Sequence, residues 1–111
     1  MRTKPPLTRA RIIARLRKEA PFLRDKYGVE KIAVYGSFAK GKQSGKSDVD
    51  ILVQLTRPLG LEFVGLALYL EEALGRKVDL ATFATLRRSL KDPRYKRIAS
   101  DIERALSYVE A

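Results

Sequence analysis

Val34-Tyr35-Gly36-Ser37-Phe38-Ala39-Lys40-Gly41-Lys42-Gln43-Ser44-Gly45-Lys46-Ser47-Asp48-Val49-Asp50-Ile51-Leu52-Val53 is the stretch on which the reading of this chain turns. It begins as an apolar strand, bends at Gly36-Ser37, crosses a polar basic loop and enters a second apolar strand at Asp48 and Asp50. Side chains of a strand alternate between its faces, so Asp48 and Asp50 point one way while Val49 and Ile51 point the other. Two carboxylates side by side raise each other's pKa and resist joint ionisation unless a cation lies between them. A divalent metal removes that conflict. A solvated junction between loop and strand, where Ser-Asp is common turn chemistry, is the plainer alternative.

The bend upstream favours the first reading. Gly36 lets the backbone approach a ligand closely, and Ser37 offers a hydroxyl and an N–H at the start of a short helical segment over Phe38 to Lys40. A turn of this kind facing paired carboxylates suits a metal-bound polyphosphate. Gly45-Lys46-Ser47 also looks like the tail of a P-loop, but that pattern needs glycine where Lys40 stands and a helix where a strand follows.

At Gly36 to Gly41 and Ser47 to Asp50 the chain resembles the DNA polymerase β nucleotidyltransferase superfamily, with its Gly-Ser and Asp-x-Asp signature. The likeness is greatest to the minimal nucleotidyltransferases, which are usually antitoxins paired with a HEPN-domain toxin. It runs from about Tyr27 to Thr82 and more weakly through Ala105 to Val109. The resemblance implies an α+β fold, a small mixed β-sheet flanked by helices of the polymerase β-like type. It also implies that Asp79, in the setting Val78-Asp79-Leu80, is the third acidic residue. Where the family carries Arg in the first block this chain carries Lys40, which keeps the charge and gives up the bidentate fork.

Composition limits the chemistry. The 111 residues contain neither Cys nor His, which excludes disulfides, thiolate metal sites and imidazole catalysis. The length suits a single domain, residues 1–111, with one modest core. No apolar run approaches a membrane span and Met1 to Pro6 lacks a signal core, so the expected location is the cytoplasm. The 23 Lys and Arg against 13 Asp and Glu give a net charge of +10. That excess favours nucleotides, RNA or an acidic partner, or simply a well-solvated surface.

Along the chain, Thr8 is expected to cap a first helix carrying Ile12, Ile13, Leu16 and Ala20 inward. Pro21 should kink or restart it, and Gly28 should end it in the left-handed conformation. Strands are expected at Lys31 to Tyr35, Val49 to Leu55 and Lys77 to Ala81. The segment from Leu61 to Leu74 is apolar nearly all round, which suggests that Phe63, Leu66, Tyr69 or Leu70 meets a partner protein. In the strand that follows, Val78 and Leu80 alternate with Asp79, which faces the other way. A helix over Thr82 to Leu90 precedes Asp92-Pro93, read as cap and first turn of a helix over Arg94 to Arg104. Leu106 to Val109 is either a final strand, as the family often has, or a continuation of that helix to Glu110.

Asp48, Asp50 and Asp79 with no nitrogen or sulfur donor make a hard-oxygen site that selects Mg²⁺ or Mn²⁺. In the two-metal scheme that the resemblance implies, Asp48 and Asp50 bind both ions and Asp79 one of them. Gly36 and Ser37 hold phosphate oxygens, with Lys40 as the adjacent cation. ATP would be the donor and a tyrosine of the HEPN toxin the acceptor of AMP. Two other classes compete: a catalytically silent antitoxin that masks its toxin, and, with less support, a small nucleic-acid-binding protein.

Overall fold

The computed structural model describes residues 6–109. Helix α1 spans Arg9–Tyr27 and opens on Thr8, whose Oγ1 accepts the Arg11 N–H at 3.2 Å. Its buried residues Ile12, Leu16, Leu23 and Tyr27 form one stripe at helical spacing. Of the kink or restart expected at Pro21, the restart does not occur: α1 is continuous through it. Pro21 is exposed, while Leu16 and Leu23, one on each side, are wholly buried. The packed stripe thus offsets the amide hydrogen that proline lacks, a defect of about 3 kcal/mol in an unsupported helix. Gly28 closes α1 at φ 69, with its N–H on the Arg24 carbonyl at 3.0 Å. A Cβ there would meet Thr56 Oγ1 at 2.4 Å, so both the conformation and the space require glycine.

Strand β1 (Val29–Tyr35) starts two residues before the expected Lys31 because Val29 pairs with Leu55. After the short helix α2 (Gly36–Lys40) and a loop, β2 (Val49–Leu55) returns antiparallel to β1. Helix α3 (Glu62–Leu74) then carries the chain across to β3 (Val78–Thr82), which lies parallel to β2. Helices α4 (Phe83–Leu90) and α5 (Lys96–Arg104) lead to β4 (Ser107–Val109), antiparallel to β1. The order β3-β2-β1-β4 makes a mixed sheet with helices on both faces, an α+β fold. Leu106 to Val109 therefore ends as a strand rather than as more helix, and the Glu110 end of that alternative lies outside the described residues.

Each face has its own core. Ile32, Val34, Val49, Ile51 and Val53 pack against α1, α2 and α3, whereas Ala33 and Leu52 pack against Phe83, Leu86 and Ala99 of α4 and α5. Alternation along β1 and β2 sorts these two sets. Helix α5 begins later than expected. Asp92 Oδ1 accepts the Arg94 N–H at 2.9 Å and the Asp92 carbonyl accepts that of Tyr95 at 3.0 Å, so Asp92-Pro93 builds a turn of its own before the helix starts at Lys96.

The expectation for α3 also needs correction. Leu66 and Leu70 are fully buried, and Phe63 and Tyr69 pack against the same core, with Tyr69 stacked on Phe22 at 4.8 Å between ring centroids. A helix between β3 and α1 uses more of its circumference than a surface helix does. The apolar residues left on the water side are Leu61, Val64 and Leu68. Leu66→Ala should accordingly cost about 2–5 kcal/mol in chemical denaturation. Leu68→Ala should change stability by less than about 0.5 kcal/mol.

Candidate active site

Everything at the site follows from how three strands are aligned. Tyr35, the last residue of β1, is paired with Asp50 of β2, and Asp50 is paired with Asp79 of β3. Residues directly opposite across a ladder project to the same side, with strands about 4.8 Å apart. Tyr35, Asp50 and Asp79 therefore form a row on the face that carries α4 and α5. Val49, Val78 and Leu80 point the other way into the main core. Asp48 lies in the loop immediately before β2 and is exposed.

The charges register one another. Half-buried Asp50 is pushed up to about 6, first by burial and then by Asp79 and Asp48. Burial, followed by Asp79 and Asp50, pushes the Tyr35 hydroxyl up to about 12. Among the described residues no three acidic side chains close into a finished ligand set. Asp48 and Asp79 are exposed, and both carboxylates act on Asp50 through space. In donor chemistry the trio fits a hard divalent cation.

Gly36 turns the chain from β1 into α2 at φ 70. A Cβ at this position would lie 2.1 Å from Asp50 Oδ2, so the backbone of the bend runs directly against the carboxylate. Ser37 is half-buried next to it, while Phe38 and Ala39 anchor α2 in the core. Lys40 stands apart from this group. It is exposed on the last turn of α2 and makes no ion pair among the described residues, so it is not held against the carboxylates.

Two arginines that the sequence did not mark brace the site. Arg76 donates from Nη2 to the Ser44 carbonyl at 2.9 Å, and its guanidinium lies 5.5 Å over the Phe38 ring. It joins the approach to β3, the loop leading to Asp48 and the helix carrying Ser37. Arg9 donates from Nη1 to the Ala39 carbonyl at 3.0 Å and so covers the far end of α2. Neither residue sits in a motif, and both act across about thirty residues of sequence. Within the loop, Ser44 and Ser47 close a turn through the Ser44 N–H on Ser47 Oγ at 2.8 Å. The Val49 N–H on the Lys77 carbonyl at 2.9 Å then locks the start of β2 to β3.

Residues 16–107 match the family described as the nucleotidyltransferase domain. A Methanocaldococcus jannaschii protein named as a candidate protein adenylyltransferase, MJ1379, is 42% identical over 97 residues, covering 85% of this chain and 90% of its own. The solved structure of a candidate minimal nucleotidyltransferase superposes with a TM-score of 0.68 at 27% identity, over 94% of this chain and 98% of that one. A toxin–antitoxin crystal structure with AMP-PNP gives 0.60 at 25% identity, over 95% and 74%. With the paired Asp50 and Asp79, the glycine bend against them and these likenesses together, the chain belongs to the minimal nucleotidyltransferase family of the DNA polymerase β superfamily and is a nucleotidyltransferase.

Proposed function

We propose that this protein is a Mg²⁺-dependent adenylyltransferase of the cytoplasm that moves AMP from ATP to a tyrosine hydroxyl of a partner HEPN toxin and thereby acts as its antitoxin. The observation that carries the reading is the alignment of Asp50 with Asp79 while the Gly36 backbone presses on Asp50. That arrangement gives paired carboxylates beside a bend open to phosphate oxygens. The partner and donor are supported by the likeness to a candidate protein adenylyltransferase and to a toxin–antitoxin structure with an ATP analogue.

Asp48, Asp50 and Asp79 would hold the divalent ions, Mn²⁺ serving in place of Mg²⁺. When bound, such ions lower the pKa of an attacking hydroxyl and neutralise charge on the triphosphate. The Gly36 backbone and Ser37 hydroxyl orient the β- and γ-phosphate oxygens, which fixes the line of attack. The tyrosine oxygen forms a bond to the α-phosphorus, the bond from that phosphorus to the bridging oxygen breaks, and pyrophosphate leaves. Asp79, exposed at the edge of the row, takes the phenolic proton. The +10 charge assists by steering polyanions to the surface. Leu61, Val64 and Leu68 supply exposed apolar surface of the kind that meets a partner.

With labelled ATP, Mg²⁺ and the toxin encoded beside it, the protein should transfer label to the toxin. EDTA should stop transfer, and added Mg²⁺ or Mn²⁺ should restore it. Asp50→Asn should abolish transfer without releasing the toxin, and Asp79→Asn should slow it by about 10²–10⁴. Tight neutralisation by the wild-type protein with no label transferred would instead favour masking. The raised pKa of Asp50 sets two pH effects. Protons compete with the ion at this carboxylate, so transfer should fall as pH drops through about 6. In the metal-free protein the sign reverses for stability. The folded state holds this proton more tightly than the unfolded chain, so the stabilisation is present below about 4 and lost as pH rises toward 6. Metal-free Asp50→Asn should therefore melt above the wild type at pH 7, as measured by circular dichroism.

A further inference from the structure

Helices α4 and α5 stand on the same face of the sheet as Tyr35, Asp50 and Asp79, and the chain from one to the other is strongly basic. Between Arg87 and Ile98, Asp92 is the only acid among Arg87, Arg88, Lys91, Arg94, Lys96 and Arg97, which puts half of the +10 excess on this one stretch. Asp92 is committed to Arg94 at 2.9 Å, and none of the other five cations makes an ion pair among the described residues. The run from Pro93 to Ile98 is exposed throughout. It includes two large apolar side chains, Tyr95 at 50% and Ile98 at 63% exposure, which lie on one side of the helix at a spacing of three. Both border the hollow that Tyr35 borders from the carboxylate row. The Arg94 guanidinium lies 5.3 Å over the Tyr95 ring, so charge and apolar surface are interleaved.

We infer that this patch docks the acceptor protein through an acidic segment that carries an apolar anchor close to the tyrosine to be modified. The inference rests on the adenylyl-transfer reading of the neighbouring carboxylates. Location is the first argument. An acceptor hydroxyl has to reach Asp79, and the patch is exposed surface on that face, whereas the exposed Leu61, Val64 and Leu68 belong to α3 on the other side of the sheet. Charge is the second. Cations crowded together without internal compensation attract a carboxylate-bearing partner from a distance and fix its register on contact. The apolar pair then decides between kinds of polyanion. Ile98 offers neither a ring for a base to stack on nor a donor for phosphate, so its exposure is relieved by a protein side chain and not by RNA. Tyr and Arg side by side are also the residue types that carry much of the energy of protein interfaces.

Steady-state transfer of label from ATP to the toxin encoded beside the protein tests this, together with calorimetric binding of the toxin in the absence of ATP. Lys96→Glu combined with Arg97→Glu, and separately Ile98→Asp, should each raise the KM for the toxin about tenfold and weaken calorimetric binding to match. The kcat and the KM for ATP should not move. All three side chains are exposed, and acids suit the first turn of α5, so thermal melts should match the wild type. Added salt should narrow the gap between the charge variant and the wild type. A KM for the toxin unchanged in both variants would overturn the docking assignment. A rise in the KM for ATP alone would overturn it in favour of the donor, and loss of binding to an RNA oligonucleotide with toxin binding intact would overturn it in favour of RNA. If the wild type transfers no label, the transferase reading falls by itself and calorimetry still decides. Weakened toxin binding by the variants upholds the docking surface, and unchanged binding removes it.

Discussion

The constraint on which this structure depends is repulsion between neighbouring carboxylates held in register. Asp50 and Asp79 are paired across β2 and β3, and Asp50 is pushed up to about 6 by burial first and then by Asp79 and Asp48. A fold does not gain stability from such a pair; it tolerates the pair where hydrophobic burial elsewhere is sufficient. Here the opposite faces of the same strands supply that burial. Val49, Ile51 and Val53 are fully buried beneath α1 and α3, so the residues that carry charge and those that carry the core alternate along one strand.

The alternation also explains why two helical layers are needed. A single layer on one face would leave Ala33 and Leu52 uncovered, and α4 with α5 covers them while stopping short of the carboxylate end. Gly36 completes the arrangement from β1. Because its backbone touches Asp50, the bend and the carboxylate cannot move independently. Arg76 extends this coupling to the loop before Asp48 through Ser44 and to α2 through Phe38.

Much of this was legible in the sequence because it is local. The helix cap at Thr8, the left-handed Gly28, the Gly36-Ser37 bend, the limits of β2 and the outward side of Asp79 are each set by a few adjacent residues. What escaped is what depends on distant parts of the chain. A restart at Pro21 is set aside only when the buried Leu16 and Leu23 on either side are seen to hold one continuous helix. Leu66 and Leu70 of the apolar α3 read as interface residues until β3 and α1 are found on two sides of the helix. Asp92-Pro93 reads as a helix cap, yet its turn closes on itself first. Arg76, Arg9 and Tyr35 belong to no short pattern: strand register brings Tyr35 beside Asp50, and contacts across some thirty residues bring Arg76 to the loop before Asp48 and Arg9 to the end of α2. Lys40, marked by its place in the motif, lies exposed on the last turn of α2.

Strand β3 has one neighbour. It is one of the two outer strands of the sheet, bonded to β2, and it carries Asp79 within five residues. Outer strands open at lower free energy than central ones. Opening of that one ladder takes Asp79 away from Asp50 while the pairing of β1 with β2 stays whole.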